Sequence, residues 1–427
     1  MYGSLVADLG IGPEVWSFLS LFGCVALYFK FSRVWSVRNL DLLLLFVLAP
    51  GLMMLVGNGG GGKQPWFAFF LLFVGSFLLL VRCLIDLGLT RRPLLEPNMN
   101  AAGLTCLAIG ILGLLLAETV SLPVVEGAAR NPADPGARVD PPPAGSQDAN
   151  STVSKAVKIV PIPSTLKRNP PQVILSRVLA SLAHLALVAG LIAVGWWHFD
   201  RPLAGLAMAT CYLILPYTRI ALVDSGQLVP AALLVASVAF YTRPTLVGGL
   251  IGFAAGWNPA CLGLIALWAG FYRNRGATRF LAVGLTVVLT CAALAWLVPD
   301  LPVWSRALGA RSLADAGLLP TSEAPTRGSF WTGNLVAYRY PVLITYLFLV
   351  GVTTIWPLEK NLGELIALSA AQLVASQFWY LDEGGTLVLL YLPLVLLMMF
   401  RPNLATKRPF LLAARAEPVK SSLFPVR

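Results

Sequence analysis

Residues 66–84 read WFAFFLLFVGSFLLLVRCL, and Arg82 is the only charged side chain in this run. A helix needs about 20 mostly apolar residues to cross the ~30 Å hydrocarbon core of a bilayer. The run has this length, and its apolar residues form a block instead of the single stripe of a soluble amphipathic helix. It therefore predicts a membrane-spanning helix.

Similar apolar blocks recur along the 427 residues, of which 57% are hydrophobic and only 12% charged. The mean hydropathy is +0.76, and a soluble domain would carry about 25% charged residues. The composition predicts an all-α fold, a polytopic transmembrane helical bundle with about 11–13 membrane helices. The predicted helices cover 15–30, 40–56, 66–84, 101–122, 173–197, 203–217, 226–241, 245–257, 259–272, 279–298, 340–356, 362–380 and 384–400.

The chain divides into four parts. Residues 1–122 form a four-helix N-terminal membrane part, and 173–400 form a larger C-terminal membrane part. Between them, 123–172 is rich in proline and small polar residues, which predicts a disordered linker on the outer side. Residues 401–427 form a basic tail.

The net charge of +11 is spread over short loops and the tail. Most basic loops fall on one side if the N-terminus is outside and the C-terminus cytoplasmic, although Lys167, Arg168 and Arg177 lie on the predicted outer side. This bias favours a multi-pass protein of the plasma (inner) membrane, with the lipid bilayer as its first partner. A basic face with interleaved aromatic residues is missing, so nucleic acid is not an expected partner.

Motifs for metals and nucleotides are also missing from the sequence. The six cysteines lie in or beside apolar segments, none of them in a CxxC pattern, and are expected to be small buried residues. The GGGGK run at 59–63 lacks the spacing of a phosphate-binding loop. We therefore expect neither a metal nor a cofactor.

A polar loop interrupts the apolar helices between positions 216 and 227. Arg219 could hold a phosphate, Asp224 could accept a proton from a hydroxyl, and Gln227 follows one turn later. The alternative is an ordinary turn in which Asp224 or Ser225 caps the next helix. Both interpretations remain open from the sequence.

A second polar cluster begins at Trp379-Tyr380 and continues with Asp382 and Glu383. It could line a site, or its carboxylates could simply face water beside an interfacial aromatic belt. A further candidate is the helix break at 257–259, because broken helices in membranes line protein or water-filled cavities.

Other polar side chains have a simpler interpretation. Asp41 and Asp86 are predicted to pair with arginines at helix ends, and Glu118 to reach the interface. His184 is predicted to be a hydrogen-bonded packing residue.

Several short motifs between about 205 and 400 resemble, in their order along the chain, those of glycosyltransferase family 87. This family contains the multi-helix mannosyltransferases of the C-type superfamily. The matching motifs are Gly226-Gln227, Arg243-Pro244, the glycine-rich run 248–256, Pro259, Arg273 with Arg275, and Trp379-Tyr380 before the span that contains Pro393.

The resemblance implies a C-type fold and transfer of a sugar, such as mannose, on the outer face of the membrane. The donor would be a polyprenyl-phosphate sugar, and the acceptor a glycan or a lipid. Arg219 or Arg339 would hold the donor phosphate, and Asp224 or Asp382 would be the base. The resemblance also places Gln227, Trp379 and Tyr380 at the substrate.

The chain departs from the family pattern at two places. Trp257-Asn258 stands where family members place a lysine before the helix-breaking proline, and the first outer loop, 57–65, lacks the usual acid. Two other functions therefore stay open. One is a non-catalytic membrane scaffold; the other is a transporter or channel, which would favour repeated halves and charges at mid-membrane.

Overall fold

A computed structural model describes residues 13–57, 65–89, 95–121, 170–273, 275–298, 300–318, 330, 331, 333–381, 384–404 and 406–408. These residues form helices joined by turns and contain no strand. The α-helices are α1 (Pro13–Tyr28), α2 (Val37–Phe46), α3 (Ala49–Gly57), α4 (Pro65–Ile85), α5 (Ala101–Ser121), α6 (Pro170–Trp197), α7 (Pro202–Ile214), α8 (Pro216–Ile220), α9 (Ser225–Ala239), α10 (Pro244–Trp257), α11 (Leu262–Phe271), α12 (Ala277–Leu297), α13 (Leu301–Ala307), α14 (Arg339–Ile355), α15 (Leu362–Ser376) and α16 (Val388–Phe400).

Six helical segments of the described chain are long and apolar enough to cross a membrane. They are Val37–Leu55, Trp66–Gly88, Ala101–Val120, Pro171–Trp197, Ala277–Leu297 and Leu335–Ile355. Seven shorter apolar helices pack among them. The chain is a helical membrane protein, as the composition predicts.

The core of the bundle is made by its most apolar helices. All thirteen residues of α16, VLLYLPLVLLMMF, are buried, and so is nearly all of α15. By contrast, α12 buries only Phe280 and Gly284. Because lipid is as apolar as the protein interior, a core helix and a lipid-facing helix can be equally apolar, and neither needs an amphipathic stripe.

Glycines allow the peripheral helix α12 to approach α10 closely. A Cβ on Gly248 would lie 2.5 Å from the carbonyl oxygen of Phe280, and one on Gly252 would lie 2.6 Å from that of Gly284. The four-residue spacing therefore brings the two backbones into direct contact, as in other membrane helix pairs.

Every predicted helix is present, but two contain breaks that the sequence interpretation missed. The predicted helix 40–56 is split into α2 and α3. The predicted helix 203–217 is split into α7, which ends at Ile214, and α8, which starts at Pro216. Between 299 and 339 the structure adds α13 and a 3-10 turn at Gly333–Tyr338. The predicted disordered linker lies outside the described residues except for its last positions, which begin α6. The tail is described only to residue 408.

The helices define two ends of the molecule, and each end is named after one carboxylate residue that lies there, Asp86 or Asp224. The Asp86 end holds the starts of α2 and α15 and the end of α16, with the paired charges Asp41, Arg82, Asp86 and Arg401. The Asp224 end holds the starts of α1, α4, α9 and α14.

Candidate functional site

Asp224 caps the first turn of α9 at the surface of the Asp224 end. Its Oδ1 accepts the backbone N–H of Gly226 at 3.0 Å, and its Oδ2 accepts the side-chain amide of Gln227 at 2.8 Å. A carboxylate at this position satisfies an otherwise free helix donor and faces the positive end of the helix dipole. The capping alternative is therefore confirmed, and the carboxylate is fixed in place while its side chain stays 27% exposed.

Arg311 is the cationic partner of Asp224, and sequence reasoning missed it. Its Nη2 lies 3.3 Å from Asp224 Oδ2, and its backbone N–H donates to the carbonyl of Trp257 at 2.8 Å. Arg311 belongs to residues 308–318, which we call the 308–318 segment. The segment is anchored at α9 because the Ser225 hydroxyl donates to the carbonyl of Leu308.

Gln227 joins the start of α9 to the start of α16. Its amide oxygen accepts the Leu389 N–H at 3.0 Å, and its amide nitrogen donates to the Thr386 carbonyl at 3.3 Å in addition to Asp224. With these contacts, Gln227 is buried and is a positioning residue for the carboxylate.

The helix break after α10 is filled by protein and does not form the expected pocket. Asn258 is fully buried; its amide nitrogen donates to the Gly226 carbonyl at 3.2 Å, and its oxygen caps the Ala260 N–H at 3.1 Å. The Tyr380 hydroxyl donates to the same oxygen at 3.4 Å. The break thus brings Tyr380 close to the polar loop that contains Asp224, although the two regions are far apart in the sequence.

Arg219 lies at the same end but is engaged by another carboxylate. Its Nε lies 2.9 Å from both oxygens of Glu118, and its guanidinium carbon is 5.1 Å from the ring centroid of Trp16. The ion pair neutralises the charge that the sequence interpretation offered to a phosphate.

Arg339 is the contrasting cation. It begins α14 with only 3% of its surface exposed, and its Nη2 donates to the Gly317 carbonyl. Its guanidinium carbon is 5.8 Å from the ring centroid of Tyr340, and its buried Nε has no acceptor. No ion pair among the described residues includes Arg339. Within the described part of the chain, Arg339 is thus a buried guanidinium held by one backbone carbonyl.

The 308–318 segment connects this cation to Asp224. Arg311 contacts Asp224 at one end of the segment, and Gly317 receives Arg339 at the other. Gly317 has φ +68°, a backbone conformation that favours glycine, and a side chain there would collide with the guanidinium. The positions of Arg339 and of Arg311 are thus set by one short stretch of backbone.

Trp379 is buried beside α14 and its indole N–H has no acceptor. Its ring centroid lies 5.4 Å from that of Tyr346 and 5.6 Å from that of Tyr380. Asp382, the second predicted base, lies outside the described residues.

Asp41, Asp86 and His184 are placed as predicted, whereas Glu118 forms an ion pair with Arg219. Arg82 contacts Asp41 and Asp86, and His184 lies between the Tyr212 hydroxyl at 2.8 Å and the Leu222 carbonyl at 3.0 Å. The prediction of buried cysteines is confirmed for four of the six; it is wrong for Cys106, which is exposed on α5, and Cys291 is half-buried. Within the described ranges, no group of three or more His, Cys, Asp or Glu side chains could hold a metal ion.

Comparison of the chain with protein-family models, with proteins of known function and with solved structures finds no match in any of the three.

Proposed function

We propose that the protein is a membrane glycosyltransferase that moves a sugar from a polyprenyl-phosphate donor to a glycan or lipid acceptor. The reaction takes place at the Asp224 end, which we assign to the outer face of the plasma membrane. The C-type architecture belongs to the same proposal.

The observation that carries the proposal is the state of Arg339. A buried charge is costly unless a partner compensates it, and intramembrane charges are therefore functional candidates. Arg339 has no carboxylate partner among the described residues, whereas Arg219 has Glu118. We therefore assign the donor phosphate to Arg339 alone, although the sequence left both arginines as candidates. A guanidinium matches phosphate oxygens through paired N–H groups, and the free Nε supplies one of them.

Asp224 is the general base in this proposal. The bond between the sugar and the phosphate breaks as the acceptor oxygen forms the new glycosidic bond. Asp224 takes the proton of the acceptor hydroxyl, and Arg339 stabilises the negative charge on the departing lipid phosphate. Gln227 and the Gly226 N–H hold the carboxylate in one orientation, and Arg311 completes its surroundings.

A non-catalytic scaffold is the second candidate, and one observation favours it. Both oxygens of Asp224 already accept hydrogen bonds, from Gly226 and from Gln227. The Arg311 ion pair adds a third contact, so a purely structural cap would look the same.

The variant Asp224→Asn separates the two candidates. Asparagine is also a good helix cap, so the fold should persist, whereas loss of a general base lowers the rate by about 10²–10⁴-fold. Asp315→Asn is the matched control, because Asp315 caps the turn at Ser312 (N···Oδ2 2.7 Å) in the 308–318 segment. The measurement is transfer of labelled sugar from polyprenyl-phosphate donors by the parent and the two variants. Equal rates for the parent and Asp224→Asn would remove Asp224 from the mechanism, and an inactive parent would favour the scaffold.

A further inference from the structure

An aromatic groove runs along α4 from the Asp224 end toward the middle of the bundle. It has a volume of about 460 Å³, within the range of about 300–1,000 Å³ typical of ligand sites. Trp66, Phe70, Phe73 and Phe77 of α4 line one wall, and Phe330 and Phe378 form the other. This groove plays no part in the proposed transfer reaction.

The walls of the groove are fixed by contacts between their own rings. Phe73 lies 4.9 Å from Phe330 and 5.7 Å from Phe378, measured between ring centroids, and Phe69 lies 5.9 Å from Phe330 behind the wall. Edge-to-face and offset ring pairs of this kind are favourable and directional. The groove is therefore a preformed shape.

The length of the groove matches one leaflet of a bilayer. From Trp66 to Phe77 the helix rises by about 16 Å at 1.5 Å per residue. Half of the ~30 Å hydrocarbon core is about 15 Å. Trp66 stands at the end of the groove, where an interfacial tryptophan is expected. The groove thus reaches from the membrane surface to the midplane.

The lining selects a hydrocarbon occupant. Apart from the indole N–H of Trp66, the lining side chains carry no polar atom. Trp66, Phe70 and Phe77 remain 63%, 53% and 56% exposed, so the groove opens sideways from the bundle. An empty apolar groove would forfeit dispersion contacts along both walls. A transmembrane helix fits less well, because helix partners in membranes meet at small residues and the lining contains none.

We infer that this groove holds one acyl chain of a bilayer phospholipid from the leaflet at the Asp224 end. The acyl chain lies against α4, Phe330 and Phe378, whose rings already hold the groove open. The inference does not depend on the glycosyltransferase assignment.

The test uses the full chain in vesicles of phosphatidylethanolamine and phosphatidylglycerol. The probe is a phosphatidylethanolamine with a photoreactive diazirine in one acyl chain. Val74 also lines the groove, so Val74→Trp fills it. Leu78→Trp is the matched control, because Leu78 is an exposed residue of the same helix outside the lining. After illumination, label is quantified in the peptides that contain Phe330, Phe378 and, as a lipid-facing reference, Trp296 of α12.

In the parent and in Leu78→Trp, label on the Phe330 and Phe378 peptides should exceed that on the reference peptide. In Val74→Trp it should fall to the reference level. Equal labelling of the two tryptophan variants, or no excess in the parent, would overturn the inference. Displacement of the probe by a polyprenyl phosphate but not by unlabelled phosphatidylethanolamine would overturn the assignment to a bilayer lipid. If Val74→Trp does not give monodisperse protein, Phe330→Leu removes one ring of the wall and should lower the label on the Phe378 peptide in its place.

Discussion

The two ends of the molecule differ in how two of their arginines, Arg82 and Arg339, are compensated. At the Asp86 end, Arg82 contacts both Asp41 and Asp86, and Arg401 lies 2.7 Å from the second oxygen of Asp86. The four side chains are at most 11% exposed. At the Asp224 end, Arg339 is as deeply buried and has one carbonyl acceptor among the residues that the structure describes. A buried charge is costly unless a partner compensates it. At the turn before α15, buried Lys360 has two carbonyl acceptors, whereas Arg339 has one among the described residues. We therefore propose an anionic ligand as the further partner of Arg339.

The same contrast holds within the Asp224 end. Arg219 and Arg339 were equivalent candidates in the sequence, each at the membrane surface beside apolar helices. Glu118 pairs with Arg219, whereas no carboxylate among the described residues pairs with Arg339. The comparison therefore separates Arg219, which is paired with Glu118, from Arg339, which we propose binds a ligand.

Arg82→Met should have the largest effect on stability. Removing this guanidinium breaks its contacts with the buried carboxylates of Asp41 and Asp86, and breaking a buried ion pair costs about 3–5 kcal/mol. We expect a large fall in the unfolding temperature of the protein in detergent. The control is Arg201→Met, because Arg201 and Glu96 form a pair with side chains 46% and 64% exposed. Exposed pairs contribute about 0–1 kcal/mol, so a similar fall in both variants would contradict the contrast between paired and exposed charges.

Lys360 should give a smaller, pH-dependent effect. Burial at the turn between α14 and α15 lowers the pKa of this ammonium from 10.5 to about 8. Its Nζ donates to the carbonyls of Thr354 and Pro357 at 2.9 and 2.8 Å. Between the two pKa values the unfolded chain holds the proton and the folded chain has released it. The contribution of Lys360 to stability therefore rises with pH across this window, and it is lost as the pH falls through the folded pKa.

The measurement compares the unfolding temperature of the parent and of Lys360→Met at several pH values from about 8 to about 10. The parent should gain stability relative to the variant as the pH rises. Parallel curves for the two proteins would show that the burial of Lys360 does not shift its pKa.

Glu118→Gln should have the smallest effect. The Arg219–Glu118 pair is partly exposed, at 19% and 26%, and such pairs contribute about 0–1 kcal/mol. The unfolding temperature should change little. A fall in the unfolding temperature as large as that of Arg82→Met would mean that the ion pairs at the two ends contribute equally to stability.

The helices were predictable because each is a long apolar run bounded by charges, glycines or prolines. The missed breaks have a local cause, since Pro50 and Pro216 stand inside apolar runs whose hydropathy continues across them. Proline lacks the backbone donor and disfavours a helical residue before it, so α3 and α8 start as separate helices.

The site was predictable only in part. Asp224, Gln227 and Tyr380 could be found as polar residues at helix ends, and their juxtaposition could not. Arg311 is 87 residues from Asp224, and Glu118 is 101 residues from Arg219. Nothing in the sequence near either residue indicates such a partner. Only the packing of the helices decides which arginine is neutralised.

Binding of a polyprenyl monophosphate to the purified protein tests the central claim, that Arg339 holds a lipid phosphate. The variants are Arg339→Gln and Arg219→Gln. A charge-assisted hydrogen bond contributes about 1.5–3 kcal/mol, so Arg339→Gln should weaken binding by about 10–100-fold. Its unfolding temperature should not fall, because an uncompensated buried charge has been removed. Arg219→Gln should bind as the parent does. Equal loss in both variants, or unchanged binding in Arg339→Gln, would contradict the account.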